Sequence, residues 1–249
     1  MKIIAEIGLN HCGDESRCTK LVDALLQSDV DGITFQIREA DFYDGSHPRK
    51  NELSDRFYSE ISSSIRSKGK EIGFAITRPE KVDVLTADFW KTLSWDLENI
   101  QFINLLKKTG KPIFASTGMS SLDEIVKVAN NIDDLEFIHT QLDDTIAGVN
   151  LRAINTIADA TQRPCGFGLH CNQFEVLYAS LSFMPSNIFF YVKDETGMEN
   201  PDDDWAIPLS QVDGISKNIR KLTAAVGDGV KAKKENILHP RDDNITQNK

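Results

Sequence analysis

Short β-rich segments alternate with longer helical patterns along almost the whole chain. The eight strands that we predict are Lys2–Ile7, Gly32–Ile37, Ile72–Thr77, Phe89–Leu93, Pro112–Thr117, Leu135–Thr140, Cys165–His170 and Ile188–Lys193. Several are almost wholly apolar, which is typical of parallel strands that are covered on both faces. Strands that alternate with helices indicate β-α units, and eight such units suffice to close a barrel. The sequence therefore predicts an α/β fold, a single-domain TIM-type (β/α)8 barrel.

The length of the chain agrees with this architecture. The sequence has 249 residues, and about 250 residues is the customary size of one closed α/β barrel. Residues 20–26 and 102–108 have apolar side chains at three- and four-residue spacing, as expected for helices of an outer ring. We predict that residues 1–230 form the barrel and that the polar residues 231–249 form a loosely packed C-terminal tail.

Composition excludes several classes of function. The formal net charge of −10 argues against a protein that binds a phosphate backbone, because such proteins need a basic face. No apolar run approaches the roughly 20 residues needed to cross a bilayer, and the N-terminal segment lacks the features of a signal peptide. The four cysteines show no CxxC spacing. We therefore predict a cytoplasmic protein with reduced thiols and with neither nucleic acid nor membrane as a partner.

Polar residues at the carboxyl ends of the predicted strands are candidates for a functional site, because the pocket of such a barrel forms at that edge. They are Glu6, Gln36, Thr77, Lys91, Ser94, Asp96, Ser116, Thr117, His139 and His170. Lys91 lies in an otherwise apolar strand and needs a partner. It is either a ligand for phosphate or carboxylate, a Schiff-base nucleophile, or a lysine that reaches solvent from the strand rim.

Two histidines, one glutamate and an acidic loop are further candidates for binding a metal or a ligand. His139 and His170 lie at the ends of two predicted strands. One hypothesis is that both imidazoles point into one cavity and share a metal or polarise a carbonyl, and the other is that each is an interior histidine with satisfied hydrogen bonds. Glu6 would cost several kcal/mol if buried and unpaired, so we expect it to meet a lysine, a metal or a ligand. The acidic loop 194–204 either binds a divalent cation or is a solvated surface.

Five segments of the chain resemble the sialic acid synthase family. They are residues 4–14, the lysine-serine-acid-asparagine segment 91–99, the segment 110–120 with its serine-threonine-glycine-methionine strand end, and residues 149–154 and 226–231. The segments follow one another in the family's order and extend over most of the chain. The resemblance implies a barrel that condenses phosphoenolpyruvate with an amino-sugar aldehyde beside a divalent metal, Mn²⁺ or Mg²⁺.

The resemblance also implies roles for individual residues. Thr77, Lys91, Ser94 and Ser116 would hold phosphoenolpyruvate, Glu6 and Asp96 would serve acid-base steps, and Asp202 would touch the sugar. The catalytic residues that we predict are Glu6, Lys91, Asp96 and His170, with His170 also the metal ligand. The substrate-binding residues that we predict are Gln36, Arg38, Thr77, Ser94, Ser116, His139, Lys193 and Asp202.

The chain departs from the family at several of these positions. Thr34 stands where the family has a lysine, and Tyr191 stands where it has a second metal-ligand histidine. Gly168 replaces a serine and Leu169 an aspartate before His170, and the loop after His139 is shorter than the family's. Residues two apart share a strand face, so we predict that Arg38 replaces the missing charge, with Lys193 on the face of Tyr191. We also expect no C-terminal antifreeze-like domain.

Three functions follow from these observations. The first is a synthase that joins phosphoenolpyruvate to an aldose or amino-sugar acceptor and yields a nonulosonate-type acid. The second is a barrel that has lost this chemistry and serves as a ligand-binding or complex-forming subunit in a sugar pathway. The third is a different metal-dependent aldolase or lyase, because a fold alone does not fix the reaction. The expected partners are phosphoenolpyruvate and a sugar aldehyde, with a homodimer left open.

Overall fold

Eight parallel strands close into a barrel. The structure is a computed structural model in which residues 1–43, 52–143, 145–199 and 201–231 are described. The strands are β1 (Lys2–Gly8), β2 (Gly32–Ile37), β3 (Glu71–Ile76), β4 (Phe89–Thr92), β5 (Ile113–Ser116), β6 (Leu135–His139), β7 (Cys165–Leu169) and β8 (Asn187–Lys193). Each strand pairs with the next, and β1 closes the barrel on β8 with Glu6 opposite Tyr191. The predicted (β/α)8 fold is confirmed, and every predicted strand end lies within one residue of the observed one.

Helices cover the outside of the barrel. They are α1 (Glu15–Leu26), α2 (Ala40–Tyr43), α3 (Asp55–Ser67), α4 (Ile100–Lys107), α5 (Leu122–Asn131), α6 (Ala153–Thr161), α7 (Glu175–Ser180) and α8 (Leu209–Val226). A 3-10 turn, Pro79–Lys81, connects β3 to β4. A two-residue strand, β9 (Ile207–Pro208), pairs with β8 beside the barrel and was not predicted. In the described part of the chain, no helix is long and apolar enough to span a bilayer.

Local signals in the sequence set several helix starts. The Ser121 side chain accepts a hydrogen bond from the Glu124 backbone, and the Glu124 carboxylate accepts one from the Ser121 backbone at 2.7 Å. This reciprocal capping satisfies N–H groups that the first turn of α5 leaves free. Asp14 caps α1 in a similar way by accepting from the Arg17 backbone at 3.0 Å.

Alternation along the strands divides the interior of the barrel into layers. The base cluster, which consists of Ile4, Phe89, Phe114, Ile138 and Phe189, fills the barrel and is at most 3% exposed. Because side chains alternate between the two faces of a strand, residues two positions further along point inward above this cluster. This layer includes Glu6, Lys91, Ser116 and Tyr191, and it forms the floor of the site at the carboxyl ends of the strands.

The structure describes only the first residue of the predicted C-terminal tail, residues 231–249. Helix α8 packs against α1, α7 and the barrel, and it ends at Val226 before Gly227, whose φ is +70°. Residues 227–231 are exposed. Residues 232–249, which make up almost all of the predicted polar tail, lie outside the described residues.

Candidate active site

A cavity of about 930 Å³ opens at the carboxyl ends of the strands. Sites for small molecules usually have volumes of roughly 300–1,000 Å³. The predicted site residues that line the cavity are Gln36, Arg38, Lys91, Ser94, Ser116, His170 and Asp202. Aromatic and apolar side chains complete the wall, namely Leu9, Phe42, Trp95, Leu142, Tyr191 and Trp205. The structure thus gathers side chains from many strands into one site.

A buried ion pair lies at the floor of the cavity. The Lys91 ammonium on β4 donates a hydrogen bond to the Glu6 carboxylate on β1, and the two residues are only 5% and 3% exposed. The ammonium also lies 5.5 Å from the centre of the Phe189 ring and 5.8 Å from that of Tyr191. An ammonium has three N–H donors, so Lys91 can donate to an anion in the cavity while it stays paired with Glu6. The lysine is the partner that the sequence analysis required for Glu6.

Two serine hydroxyl groups lie together in the same wall. Ser94 begins the 3-10 turn after β4, Ser116 ends β5, and their Oγ atoms are 2.9 Å apart. Both residues are buried. A Cβ atom on Gly118 would lie 2.7 Å from the Ser94 Oγ atom, so glycine at this position leaves room for the hydroxyl pair. Paired hydroxyl groups next to an ammonium suit a phosphate or carboxylate ligand.

Arg38 carries a second positive charge to the cavity. Its guanidinium donates to both oxygens of the Glu39 carboxylate at 2.7 and 2.8 Å. It also lies between the rings of Phe42 and Trp95, at 4.3 and 4.6 Å from their centroids. Stacking of this kind holds a guanidinium plane in place. Arg38 therefore lies where it can take the role that the sequence analysis gave to it.

Thr77 and Asp96 are among the predicted residues that do not line the cavity. Thr77, which follows β3, lies next to Glu39, and the Asp96 carboxyl lies within electrostatic reach of the same glutamate. Burial raises the pKa of Asp96 to about 6, and the Glu39 charge adds to the effect. Both residues therefore lie near Glu39 and outside the lining of the main cavity.

His139 does not share a cavity with His170, which agrees with the second of the two hypotheses, an interior histidine with a satisfied hydrogen bond. Its Nε2 atom donates to the Val149 carbonyl oxygen at 2.8 Å, and the residue lines a separate cavity of about 260 Å³. The reason is strand alternation: Ile138 points into the barrel, so His139 points outward to the helices. Burial lowers the pKa of His139 and keeps the ring neutral. The alternation of β6 is the signal that would have shown this orientation.

Lys193 also lies away from the main cavity. Its ammonium donates to the Asp203 backbone carbonyl at 2.7 Å and lies 3.0 Å from the Asp203 carboxylate. The residue lines a third cavity of about 330 Å³ beside β9 and α8. Of the two predicted compensating cations, only Arg38 lines the main cavity. The same acidic loop contains Asp194, whose carboxylate accepts hydrogen bonds from Nε and Nη2 of Arg17 at 2.7 and 2.9 Å.

His170 lies between aromatic rings. It stacks on Trp205 with ring centroids 5.3 Å apart and meets the Tyr191 ring edge to face at 5.5 Å. Burial lowers the pKa of His170 to about 3, and the Lys91 charge lowers it further in the same direction. The imidazole is therefore neutral at physiological pH. The Tyr191 hydroxyl donates to the Gln36 side-chain oxygen at 3.3 Å.

Asp202 reaches the cavity from the loop between β8 and β9. Its backbone N–H donates to the Asn10 side chain at 3.1 Å, and Asn10 in turn donates to the Val192 carbonyl at 2.8 Å. The Leu9 backbone N–H donates to the Asp202 carboxyl, while the buried Oδ2 atom has no hydrogen-bond partner among the described residues. Burial raises the pKa of Asp202 to about 7, and the charge of Glu6 adds to the rise. Sequence analysis missed the anchoring role of Asn10, although this residue lies in the first segment that carries the family resemblance.

Comparison with known proteins identifies the family of the chain. A model of the NeuB family matches residues 21–231. This chain belongs to the NeuB family. Among its relatives is the N,N'-diacetyllegionaminic acid synthase of Campylobacter jejuni, which is 25% identical, with 92% of this chain and 78% of the relative covered. The N-acetylneuraminate-9-phosphate synthase of Homo sapiens is 23% identical, with 92% and 72% covered.

Solved structures support the same fold for this NeuB-family chain. The N-acetylneuraminic acid synthetase of Leptospira borgpetersenii, in complex with citrate, superposes with a TM-score of 0.85 at 18% identity, with 94% of this chain and 87% of that chain covered. A truncated 3-deoxy-D-arabino-heptulosonate 7-phosphate synthase of Thermotoga maritima gives a TM-score of 0.71 at 13% identity, with 93% and 89% covered. The resemblance to sialic acid synthases that the sequence showed is confirmed.

The side chains of this NeuB-family site do not fit the divalent cation that the resemblance implies. Among the residues that the structure describes, no group of three or more His, Cys, Asp or Glu side chains could hold a metal ion. The neighbours of the His170 ring are a phenol and an indole, which are poor ligands for Mn²⁺ or Mg²⁺. Burial and the charge of Glu6 also raise the pKa of Tyr191, so its phenol stays protonated. The side chains around His170 therefore give no basis for a reaction step on a bound cation.

The raised pKa of Asp202 predicts a pH-dependent effect on stability. The folded state holds the proton up to a pKa of about 7, whereas an unfolded aspartate releases it near ~3.9. Protonation thus stabilises the folded state at low pH, and this stabilisation is lost as pH rises through the folded pKa. Asparagine mimics the protonated form, so we expect Asp202→Asn to be more stable than the wild type at about pH 8 by roughly 1–3 kcal/mol and similar to it near pH 4.

Urea denaturation at the two pH values measures the effect. Asp204→Asn is the matched control, because Asp204 is an exposed residue of the same loop, and its stability should follow the wild type at both pH values. If Asp202→Asn were the less stable protein at high pH, the Asp202 carboxylate would be well solvated or paired, contrary to the structure.

Proposed function

We propose that this chain condenses phosphoenolpyruvate with a sugar or amino-sugar aldehyde to form a nonulosonate-type acid. The observation that carries the proposal is the group of anion-binding donors on one wall of the main cavity. The Lys91 ammonium, the hydroxyl pair of Ser94 and Ser116, and the Arg38 guanidinium all line it. The protein as a whole has a net charge of −10, so a small anion would have to be held by such local N–H and O–H donors. The relatives include an N,N'-diacetyllegionaminic acid synthase and an N-acetylneuraminate-9-phosphate synthase, and their names support the same class.

Each donor has a task in this reaction. Lys91 and the two hydroxyl groups would bind the phosphate and carboxylate oxygens of phosphoenolpyruvate, and they would neutralise charge on the phosphate as its carbon–oxygen bond breaks. Glu6 holds the ammonium at the floor of the cavity. Arg38, braced by Glu39 and two rings, would supply the charge that Thr34 lacks.

The reaction balances with one molecule of water. The enol carbon of phosphoenolpyruvate forms a bond to the aldehyde carbon, and the aldehyde oxygen takes up a proton. Water adds to the cationic carbon that remains and gives up a proton. The carbon–oxygen bond to phosphate then breaks, and the products are a 2-keto acid and inorganic phosphate.

Phosphate release tests the proposal. The purified chain is incubated with phosphoenolpyruvate and a panel of aldoses and N-acylated amino sugars, and inorganic phosphate is measured over time. We expect release that depends on one class of acceptor, and a product whose mass equals the sum of the acceptor and pyruvate. Tight phosphoenolpyruvate binding without turnover on any acceptor would instead favour a ligand-binding subunit.

That second candidate rests on a specific observation. Thr34 is buried at the position where the resemblance implies a family lysine, and its hydroxyl donates to the neighbouring Phe35 carbonyl at 3.5 Å. A site with fewer cations binds an anion less strongly and stabilises a departing phosphate less well. The same phosphate assay separates a synthase from a binding subunit, because only the synthase consumes phosphoenolpyruvate.

Arg38 and Lys193 make a matched pair for testing the wall of the cavity. We expect Arg38→Ala to weaken phosphoenolpyruvate binding by about 10- to 100-fold, because a charge-assisted contact of roughly 1.5–3 kcal/mol is lost. Lys193→Ala should leave the affinity unchanged, because its ammonium is bound to Asp203 beside another cavity. Isothermal titration calorimetry measures both. Equal affinity for the two variants and the wild type would remove Arg38 from the site.

A further inference from the structure

We propose that Asp202 activates the carbonyl group of the acceptor by donating a proton to its oxygen, and that this step needs no divalent cation. The inference rests on the proposed function and deepens it by assigning the proton donor. Three features of the cavity support the inference. They are the side chains around His170, the position of the Asp202 Oδ2 atom, and the charged groups near that atom.

The groups around His170 are poor metal ligands, so the carbonyl group of the acceptor would have to be activated by a hydrogen-bond donor. His170 follows β7, Tyr191 is on the adjacent strand β8, and their rings are 5.5 Å apart. Two imidazoles at such positions would be able to share a cation, but a protonated phenol does not replace an imidazole as a ligand. The third neighbour, Trp205, presents an indole face at 5.3 Å. A polarising group for the carbonyl must therefore come from another side chain of the cavity.

One oxygen of the Asp202 carboxyl is available to a ligand. The Leu9 backbone N–H binds the carboxyl, and Asn10 holds the backbone of the loop against β8. The Oδ2 atom is buried and has no partner in the described ranges of the chain. A buried polar atom of this kind normally finds a partner, and the residue lines the main cavity. A carbonyl oxygen of the acceptor would provide that partner.

Glycine at position 8 brings Asp202 and Tyr191 together. A Cβ atom on Gly8 would lie 2.6 Å from the Tyr191 Cε1 atom and 3.1 Å from the Asp202 Oδ2 atom. The φ angle of Gly8 is +56°, a backbone conformation that other residues rarely adopt. The absence of a side chain here lets the carboxyl and the phenol ring meet over the end of β1, next to the Glu6–Lys91 pair.

The surrounding charges keep a proton on Asp202 near neutral pH. Burial and the charge of Glu6 raise the pKa of this carboxyl, while Lys91 and Arg38 lower it, and the balance is a pKa of about 7. His170 is neutral and adds no charge. A general acid works best when its pKa lies near the operating pH. The electrostatics therefore agree with the geometry.

The proton cycle closes without another reactant. As the new carbon–carbon bond forms, the electron pair of the carbonyl moves to its oxygen, which takes the proton of Asp202 and becomes a hydroxyl group. The water molecule that adds to the phosphoenolpyruvate carbon releases a proton, which restores the Asp202 carboxyl. The remaining proton of that water leaves with the phosphate when the carbon–oxygen bond breaks.

Binding of Mn²⁺ tests the first half of the proposal without any turnover. The full chain, freed of metal by chelation, is titrated with MnCl₂ and free Mn²⁺ is followed by electron paramagnetic resonance. We expect the wild type and His170→Ala to bind Mn²⁺ equally weakly. Tyr191→His should bind it at least about tenfold more tightly, since it adds a second imidazole next to His170. Tight wild-type binding that His170→Ala removes, or no gain in Tyr191→His, would overturn the proposal.

Turnover tests the second half with an isosteric variant. In the phosphate-release assay, EDTA should leave the rate unchanged. Asp202→Asn should lower kcat by about 10²- to 10⁴-fold and leave the KM for phosphoenolpyruvate within about threefold, because only proton donation is lost. Asp204→Asn is the control in the same loop. Loss of activity in EDTA with recovery in Mn²⁺, or an active Asp202→Asn protein, would refute the assignment.

The two experiments separate this inference from the proposed function. If no acceptor supports phosphate release, the synthase proposal fails, and the Mn²⁺ titration still decides whether His170 holds a cation. If phosphate is released but only with Mn²⁺, the synthase proposal stands and the role of Asp202 is overturned. Circular dichroism and thermal unfolding of each variant confirm that the barrel is intact.

Discussion

Replacing Lys91 with methionine is expected to abolish phosphoenolpyruvate binding and to destabilise the barrel. Methionine has a similar length but no charge, so it leaves the Glu6 carboxylate buried without its partner. Removing one partner of a buried ion pair costs about 3–5 kcal/mol. Affinity should fall by more than about 100-fold, because the anion loses the ammonium that faces it at the floor of the cavity.

A double variant separates the two effects. Glu6→Gln combined with Lys91→Met removes both charges, so we expect most of the lost stability to return while phosphoenolpyruvate binding stays absent. Urea denaturation gives the free energy of unfolding, and calorimetry gives the affinity. Lys127→Met is the matched control, because Lys127 forms an exposed pair with Glu98 at 2.9 Å, and exposed pairs contribute only ~0–1 kcal/mol. Wild-type affinity in Lys91→Met would refute the proposed anion site.

Replacing Phe189 with alanine is expected to cause a comparably large loss of stability. Phe189 is fully buried in the base cluster, with its ring centre 5.3 Å from that of Phe114 and 6.5 Å from that of Phe89. Large-to-small substitutions of buried phenylalanine cost about 3–5 kcal/mol, because transfer energy is lost and a cavity remains. The ring also lies 5.5 Å below the Lys91 ammonium, so its removal should weaken phosphoenolpyruvate binding as well.

Two further variants test the physical reason for this loss. Phe189→Leu keeps most of the volume and should cost less than half as much as Phe189→Ala. Phe183→Ala changes a phenylalanine that is only half-buried, at the end of the 3-10 turn that follows α7, so the free energy of unfolding should fall by less than for Phe189→Ala. Equal losses for Phe183→Ala and Phe189→Ala would show that the base cluster does not dominate the stability of the barrel.

The elements of the barrel were predictable because their signals are local. An apolar run such as Ile72–Thr77 or Ile188–Lys193 identifies a buried parallel strand regardless of its neighbours. The capping box of Ser121 and Glu124 lies within four residues of sequence. The need of Glu6 for a partner also follows from one residue and the cost of burying its charge.

Which residues line the site depends on the direction in which each side chain points, and local sequence signals do not show that direction. His139 ends β6 and His170 follows β7, yet the first points to the helices and the second into the main cavity, because the two residues stand at different points of their strands' alternation. Lys193 has the expected strand position, but its long side chain reaches Asp203 instead of the main cavity. A flexible side chain takes the partner that tertiary structure brings near, and that partner is far away in sequence.

The sequence by itself determined the fold, the edge of the barrel that holds the site, and the charged residues available to it. Only the tertiary structure decided that Lys91 pairs with Glu6, that Tyr191 and Trp205 surround His170, and that one oxygen of Asp202 is left without a partner in the described chain. The physical reason is that strand formation depends on neighbouring residues, whereas burial, pairing and pKa depend on groups that meet only when the barrel closes.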